Sequence, residues 1–117
     1  LEELYRRCSF TILPSLMEGF GLPLLESLSR GKPCLCSDIS VFKNIAGEFG
    51  VYCNPTDPRS IAAQIENLGL DRARLKAMTT LISAKYRPPC WEDSAQVILD
   101  TLAAAKPGRK RPIAQGL

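Results

Sequence analysis

The chain has 117 residues, which is enough for one domain and too few for a two-domain enzyme. It is 45% apolar and 23% charged, an ordinary globular composition, and it holds no apolar run of the roughly 18 residues that a membrane-spanning helix needs. The formal charge of +3 comes from residues 106 to 117, which carry Lys106, Arg109, Lys110 and Arg111 and no acid, while residues 1 to 105 hold 11 bases and 12 acids and show no basic stripe with aromatics for a nucleic acid.

Residues 1 to 8 read as a helix with Leu1, Leu4 and Tyr5 on one face and no N-cap residue in view. Residues 10 to 13, Phe-Thr-Ile-Leu, read as a buried strand. Residues 22 to 30 read as a helix, with Leu24, Leu25 and Leu28 facing the sheet. Gly31 suits its C′ position, and Pro33 bars its continuation. A second strand is expected over 33 to 37, then a short helix over 41 to 46 capped by Asp38 or Ser40. A third strand follows over 50 to 53. Asn54-Pro-Thr-Asp-Pro58 is a turn, with Asp57 as cap and Pro58 as first residue of a helix over 58 to 67. Ile61, Ile65 and Leu68 form its stripe. Asp71 caps another helix, with Leu75, Met78, Leu81 and Ile82 on one face, broken by Pro88-Pro89. The last helix spans about 91 to 105, with Ala95, Ile98, Leu99 and Leu102 on its apolar face. All these stripes read as core.

Strands alternating with helices imply parallel strands with right-handed crossovers. The expected fold is α/β: half of a doubly wound, Rossmann-like parallel sheet of about three strands, with extra C-terminal helices. Residues 1–105 form this part and residues 106–117 a basic tail.

Chemistry concentrates in one stretch, Glu18-Gly-Phe-Gly-Leu-Pro-Leu-Leu-Glu26. Gly19 and Gly21 allow a sharp turn and a close approach. Pro23 suits the first helical turn. A strand, a glycine turn and a helix start gather free N–H groups and partial positive charge, which favours an anion such as phosphate. Glu18 and Glu26 bracket the turn with seven residues between them. Taken alone, Glu18 also fits a surface loop, and Glu26 a solvated helix position.

This stretch resembles the E-x7-E donor-binding motif of retaining glycosyltransferases of the GT-B fold, glycosyltransferase family 4 (group 1) above all. Leu4-Tyr5, Phe10 to Ser15, Gly31-Lys-Pro33, Ser37-Asp38, Gly50 to Pro55, Asp57 to Ile61 and Trp91 extend the resemblance over roughly residues 1 to 105. It implies metal-independent transfer of a hexosyl group from a nucleotide diphosphate sugar to a glycan, lipid or small-molecule acceptor. It assigns Glu18 to hydroxyls of the donor sugar and Glu26 to the ribose hydroxyls, with the N–H groups of Phe20, Gly21 and Leu22 facing the diphosphate. Asn44 stands where the family usually has Glu. The family's diphosphate-gripping bases, base-contacting segment and acceptor domain precede these residues. The chain therefore resembles part of a longer enzyme, inactive alone, and no catalytic residue is assignable in it. A reading from another class is a non-catalytic α/β phosphate-binding or interaction module.

The five cysteines, at 8, 34, 36, 53 and 90, read as small buried hydrophobes. No histidine and no CxxC supports a metal site. A reduced, cytoplasmic setting follows from an odd number of cysteines, most of them inside expected elements. The tail reads as a solvated terminus or, more sharply, as a peripheral contact with an anionic membrane surface. The strand at 10 to 13 lacks an outer neighbour, so self-association through that edge is expected.

Overall fold

The computed structural model describes residues 1–105. The expectations for residues 106 to 117, a solvated tail or a membrane contact, lie outside them. Three parallel strands, β1 (Thr11–Leu13), β2 (Cys34–Ser37) and β3 (Gly50–Cys53), form one sheet in the order β1-β2-β3. Thr11 pairs with Cys34, and Cys34 with Gly50. The helices are α1 (Glu2–Arg7), α2 (Leu22–Ser29), α3 (Ser40–Ala46), α4 (Pro58–Leu70), α5 (Arg72–Lys85) and α6 (Trp91–Ala104). This is the expected half of a Rossmann-like sheet.

Each face of the sheet carries its own core, as alternation along a strand requires. On one face Cys34 and Cys36 pack with Leu24 and Leu28 of α2, Phe42 and Ala46 of α3, and Ile82. On the other, Leu35, Val51 and Cys53 pack with Leu68 of α4, backed by Ile61, Leu75 and Met78. Burying a Leu or Phe side chain in this way contributes about 1.5–3 kcal/mol.

The caps explain where the helices stop and start. Gly31 takes φ 69 after α2. The Gly31 N–H donates to Leu28 O at 2.9 Å and the Lys32 N–H to Ser27 O at 2.9 Å, the paired bonds of a Schellman motif. Asp57 accepts from the Arg59 N–H at 2.9 Å, and Asp71 from the Arg74 N–H at 2.8 Å. Neither Asp38 nor Ser40 caps α3: its N-cap is Ile39, and Asp38 is instead ion-paired with Lys43.

Several apolar stripes depart from expectation, among them that of α5, whose Leu81 is half-buried and joins neither core cluster. On α1 only Tyr5 is buried, and Leu4 and the N-cap Leu1 are exposed. On α4 Ile65 is exposed, and the helix runs on through Gly69 to Leu70 instead of stopping at 67. The stripe of α6 is not core: Ile98 is 59% exposed, Leu99 60% and Leu102 65%. Pro88-Pro89 direct α6 away from the sheet, so its side chains reach neither core cluster.

Candidate donor site

The glycine turn lies between β1 and α2, at the carboxyl end of an edge strand of the three-stranded sheet. Gly21 is the N-cap of α2 with φ 79 and ψ 42, a left-handed conformation open to glycine at no steric cost. A Cβ on Gly21 would meet Phe42 Cε1 at 2.8 Å, so the turn is also packed down onto α3. The Gly21 carbonyl accepts from the N–H groups of Leu24 at 3.0 Å and Leu25 at 3.3 Å. The N–H groups of Phe20, Gly21 and Leu22 have no hydrogen-bond partner among the described residues. Gly19 is different. It has no positive φ, and a Cβ there would meet nothing within 4 Å. The chain's own packing does not require glycine at 19, and the space beside it is open.

Both bracketing carboxylates are half-buried and each is held at one oxygen by a protein hydroxyl. Ser15 Oγ donates to Glu18 Oε1 at 2.9 Å within the loop. Tyr5 donates to Glu26 Oε2 at 3.1 Å across 21 positions of sequence. The second oxygen of each has no hydrogen-bond partner among the described residues, which leaves it able to accept from a ligand hydroxyl. Burial first, and the bond to Glu26 second, raise the Tyr5 phenol above its usual range, so it stays a donor at neutral pH. Neither hydroxyl was singled out as a partner from the sequence. Ser15, three positions before Glu18, was open to local reasoning. Tyr5 was not, because only the docking of α1 brings it to α2.

The turn is bordered by an apolar groove of about 530 Å³ lined by Phe20, Leu22, Leu25, Cys90, Trp91 and Ser94. Leu25, expected in the core, is only half-buried and lines this groove instead. Ser27 takes the place inside. It is fully buried, its hydroxyl 2.6 Å from Thr11 Oγ1 and donating to Lys32 O at 3.0 Å. Asn44 is exposed on α3. Among the described residues no cluster of His, Cys, Asp or Glu could hold a metal ion.

A family model described as "Glycosyl transferases group 1" matches residues 1–85, which contain the turn and both carboxylates. The chain belongs to the group 1 glycosyl transferases. It is 35% identical over 112 residues to the serotype-specific mannosyltransferase WbdA of Escherichia coli, covering 95% of this chain and 13% of that protein. It is 32% identical over 93 residues to O-antigen chain mannosyltransferase B of Escherichia coli, covering 80% of this chain and 24% of the relative. Similarity extends to a glycogen synthase of Mycobacterium tuberculosis, 30% identical over 115 residues, covering 93% of this chain and 27% of that enzyme. The chain thus spans about a quarter or less of the length of these relatives.

In this group 1 glycosyl transferase chain the arrangement suits a polyhydroxylated anion. Unpartnered N–H groups at a helix start favour negative charge. A carboxylate oxygen held in place by a hydroxyl keeps its partner oxygen aimed without further ordering cost. No helix among the described residues is long and apolar enough to cross a membrane.

Proposed function

We propose that residues 1–105 are the nucleotide-sugar-binding part of a retaining glycosyltransferase of the GT-B type, which transfers a hexosyl group to a glycan, lipid or small-molecule acceptor. The observation that carries this reading is the pair of half-buried carboxylates on either side of a turn with unpartnered N–H groups, each carboxylate with one oxygen anchored and one without a partner. Glu18 takes hydroxyls of the donor sugar and Glu26 takes the ribose hydroxyls. The N–H groups of Phe20, Gly21 and Leu22 face the diphosphate and stabilise the charge that grows on it as the glycosidic bond breaks. The open space at Gly19 admits the ligand close to the backbone. The relatives' names, two mannosyltransferases and a glycogen synthase, support a hexosyl donor.

The transfer needs no metal in this reading. The remaining contacts to the diphosphate and base, and the acceptor site, come from parts of the longer protein outside these residues. The unpaired side of β1 fits a further strand of the same sheet. In the 117-residue chain alone that edge favours self-association. The setting that suits free cysteines is cytoplasmic, with the basic tail as a peripheral membrane contact.

The test is transfer by the full-length protein from a panel of nucleotide diphosphate sugars, followed by Glu18→Ala. That variant is expected to lose roughly tenfold or more in transfer, the worth of one charged hydrogen bond, while binding free nucleoside diphosphate as before. Unchanged transfer would contradict the role given to Glu18.

A further inference from the structure

Helix α1 has one buried side chain, Tyr5, and Tyr5 is fastened from two directions. Its hydroxyl donates to Glu26 Oε2 at 3.1 Å. Its ring lies under the guanidinium of Arg30, 4.5 Å from the centroid. Arg30 is in turn held by Glu2, with Nε at 3.0 Å and Nη2 at 2.8 Å from the same Glu2 oxygen. Glu26 and Arg30 stand four positions apart around the C-terminal half of α2, so Tyr5 and Glu2 of α1 meet them as a matched pair.

The Glu2–Arg30 ion pair is largely exposed on the Glu2 side and adds little stability by itself. It does hold a cation over the Tyr5 ring, where the ring's electron-rich face attracts it. Together these contacts hold the Tyr5 ring and its hydroxyl beside Glu26. A carboxylate on an unbranched side chain otherwise samples several rotamers, and ordering it when ligand binds weakens that binding.

We infer that Tyr5 is a positioning residue for donor binding: it fixes Glu26 so that the carboxylate's other oxygen meets the ribose hydroxyls of a nucleoside diphosphate. This rests on the assignment of Glu26 to the ribose under the proposed function. Protonation supports it, since a phenol raised above its usual range remains a donor through the neutral range. The competing role is a plain anchor for α1, in which the ring matters and the hydroxyl does not.

The experiment separates these. In the full-length protein, GDP, UDP and ADP are titrated calorimetrically, each beside its 2′,3′-dideoxy counterpart, into wild type, Tyr5→Phe, Glu26→Gln and the double variant. Tyr5→Phe keeps the ring and its contact with Arg30. It is expected to weaken binding of the preferred ribonucleotide about three- to tenfold, the worth of one hydrogen bond, with binding of the dideoxy compound unchanged. The double variant is expected to bind no more weakly than Glu26→Gln alone, because Tyr5 acts through Glu26. Loss in Glu26→Gln without loss in Tyr5→Phe would overturn the inference and leave the ribose assignment standing. Equal loss on ribo and dideoxy compounds in Tyr5→Phe would make Tyr5 an anchor and overturn it too. Full binding by Glu26→Gln would overturn the ribose assignment, and the inference with it.

Discussion

At the scale of the residue, Gly21 shows what one backbone angle can decide. With φ 79 and Phe42 2.8 Å from a built Cβ, an alanine there faces both strain and overlap. Gly21→Ala is expected to cost about 1–3 kcal/mol in a denaturant titration and to weaken nucleotide binding as the turn shifts. Gly19→Ala, with no such conflict, is expected to spare stability and to lose ligand affinity only. Glycine's place at 21 was legible in the sequence, since a helix start after a strand called for a turn there. At 19 the expected sharp turn is not what requires glycine, since its φ is not positive; the open space beside it fits the other expectation, a close approach. Ser27 is a polar residue buried where α2 crosses β1, and its hydroxyl links Thr11 to Lys32 O. Ser27→Ala should lower stability by about 1–3 kcal/mol, because half-buried Thr11 and Lys32 groups lose a partner. Of the five cysteines, Cys34 and Cys36 on β2 and Cys53 on β3 are buried hydrophobes as expected, whereas Cys8 is half-buried and Cys90 exposed. Burial pushes the Cys34 thiol up to about 11 and the Cys36 thiol up to about 12, against an ordinary 9.0. A raised pKa means the unfolded chain loses these protons first. Their contribution is therefore fully present below pH 9 and is lost as pH rises towards 11 to 12. In the native protein at pH near 8, alkylation should reach the exposed Cys90 and leave Cys34 and Cys36 untouched.

At the scale of the element, local chemistry was a good guide to boundaries and a poor guide to partners. Gly31, Asp57 and Asp71 all cap as their residue types suggested, because capping depends on atoms within a few positions. Asp71→Ala should cost about 1 kcal/mol, since its carboxylate alone satisfies the Arg74 N–H where α4 gives way to α5. The amphipathic stripe of α6 was legible too, but periodicity says only that a face is apolar, not what covers it. Val97, Ile98, Leu99 and Leu102 are exposed among the described residues. Leu99→Glu is accordingly expected to leave the melting temperature of the isolated chain unchanged. A melt lowered by several degrees would place that face against something in the chain itself.

At the scale of the molecule, the alternation of strands and helices sufficed to give the parallel sheet and its two covered faces, because each crossover brings a helix back over the strands. It did not give the reach of α6, which follows from the Pro88-Pro89 break and not from any pattern in the helix. With β1 paired on one side only among the described residues and Ile12 44% exposed, the 117-residue chain should associate with itself. Sedimentation equilibrium over a range of concentrations checks this, and a monomer whose residues 10 to 13 exchange slowly would contradict it. In the proposed function the turn between Glu18 and Glu26 receives the donor. Hydrogen exchange of the full-length protein, with and without its nucleotide diphosphate sugar, reads that turn directly. The expected result is slowed exchange at the N–H groups of Phe20, Gly21 and Leu22 on adding donor, since they have no hydrogen-bond partner among the described residues. Donor binding that slows exchange elsewhere and leaves residues 18 to 26 unchanged would contradict the account.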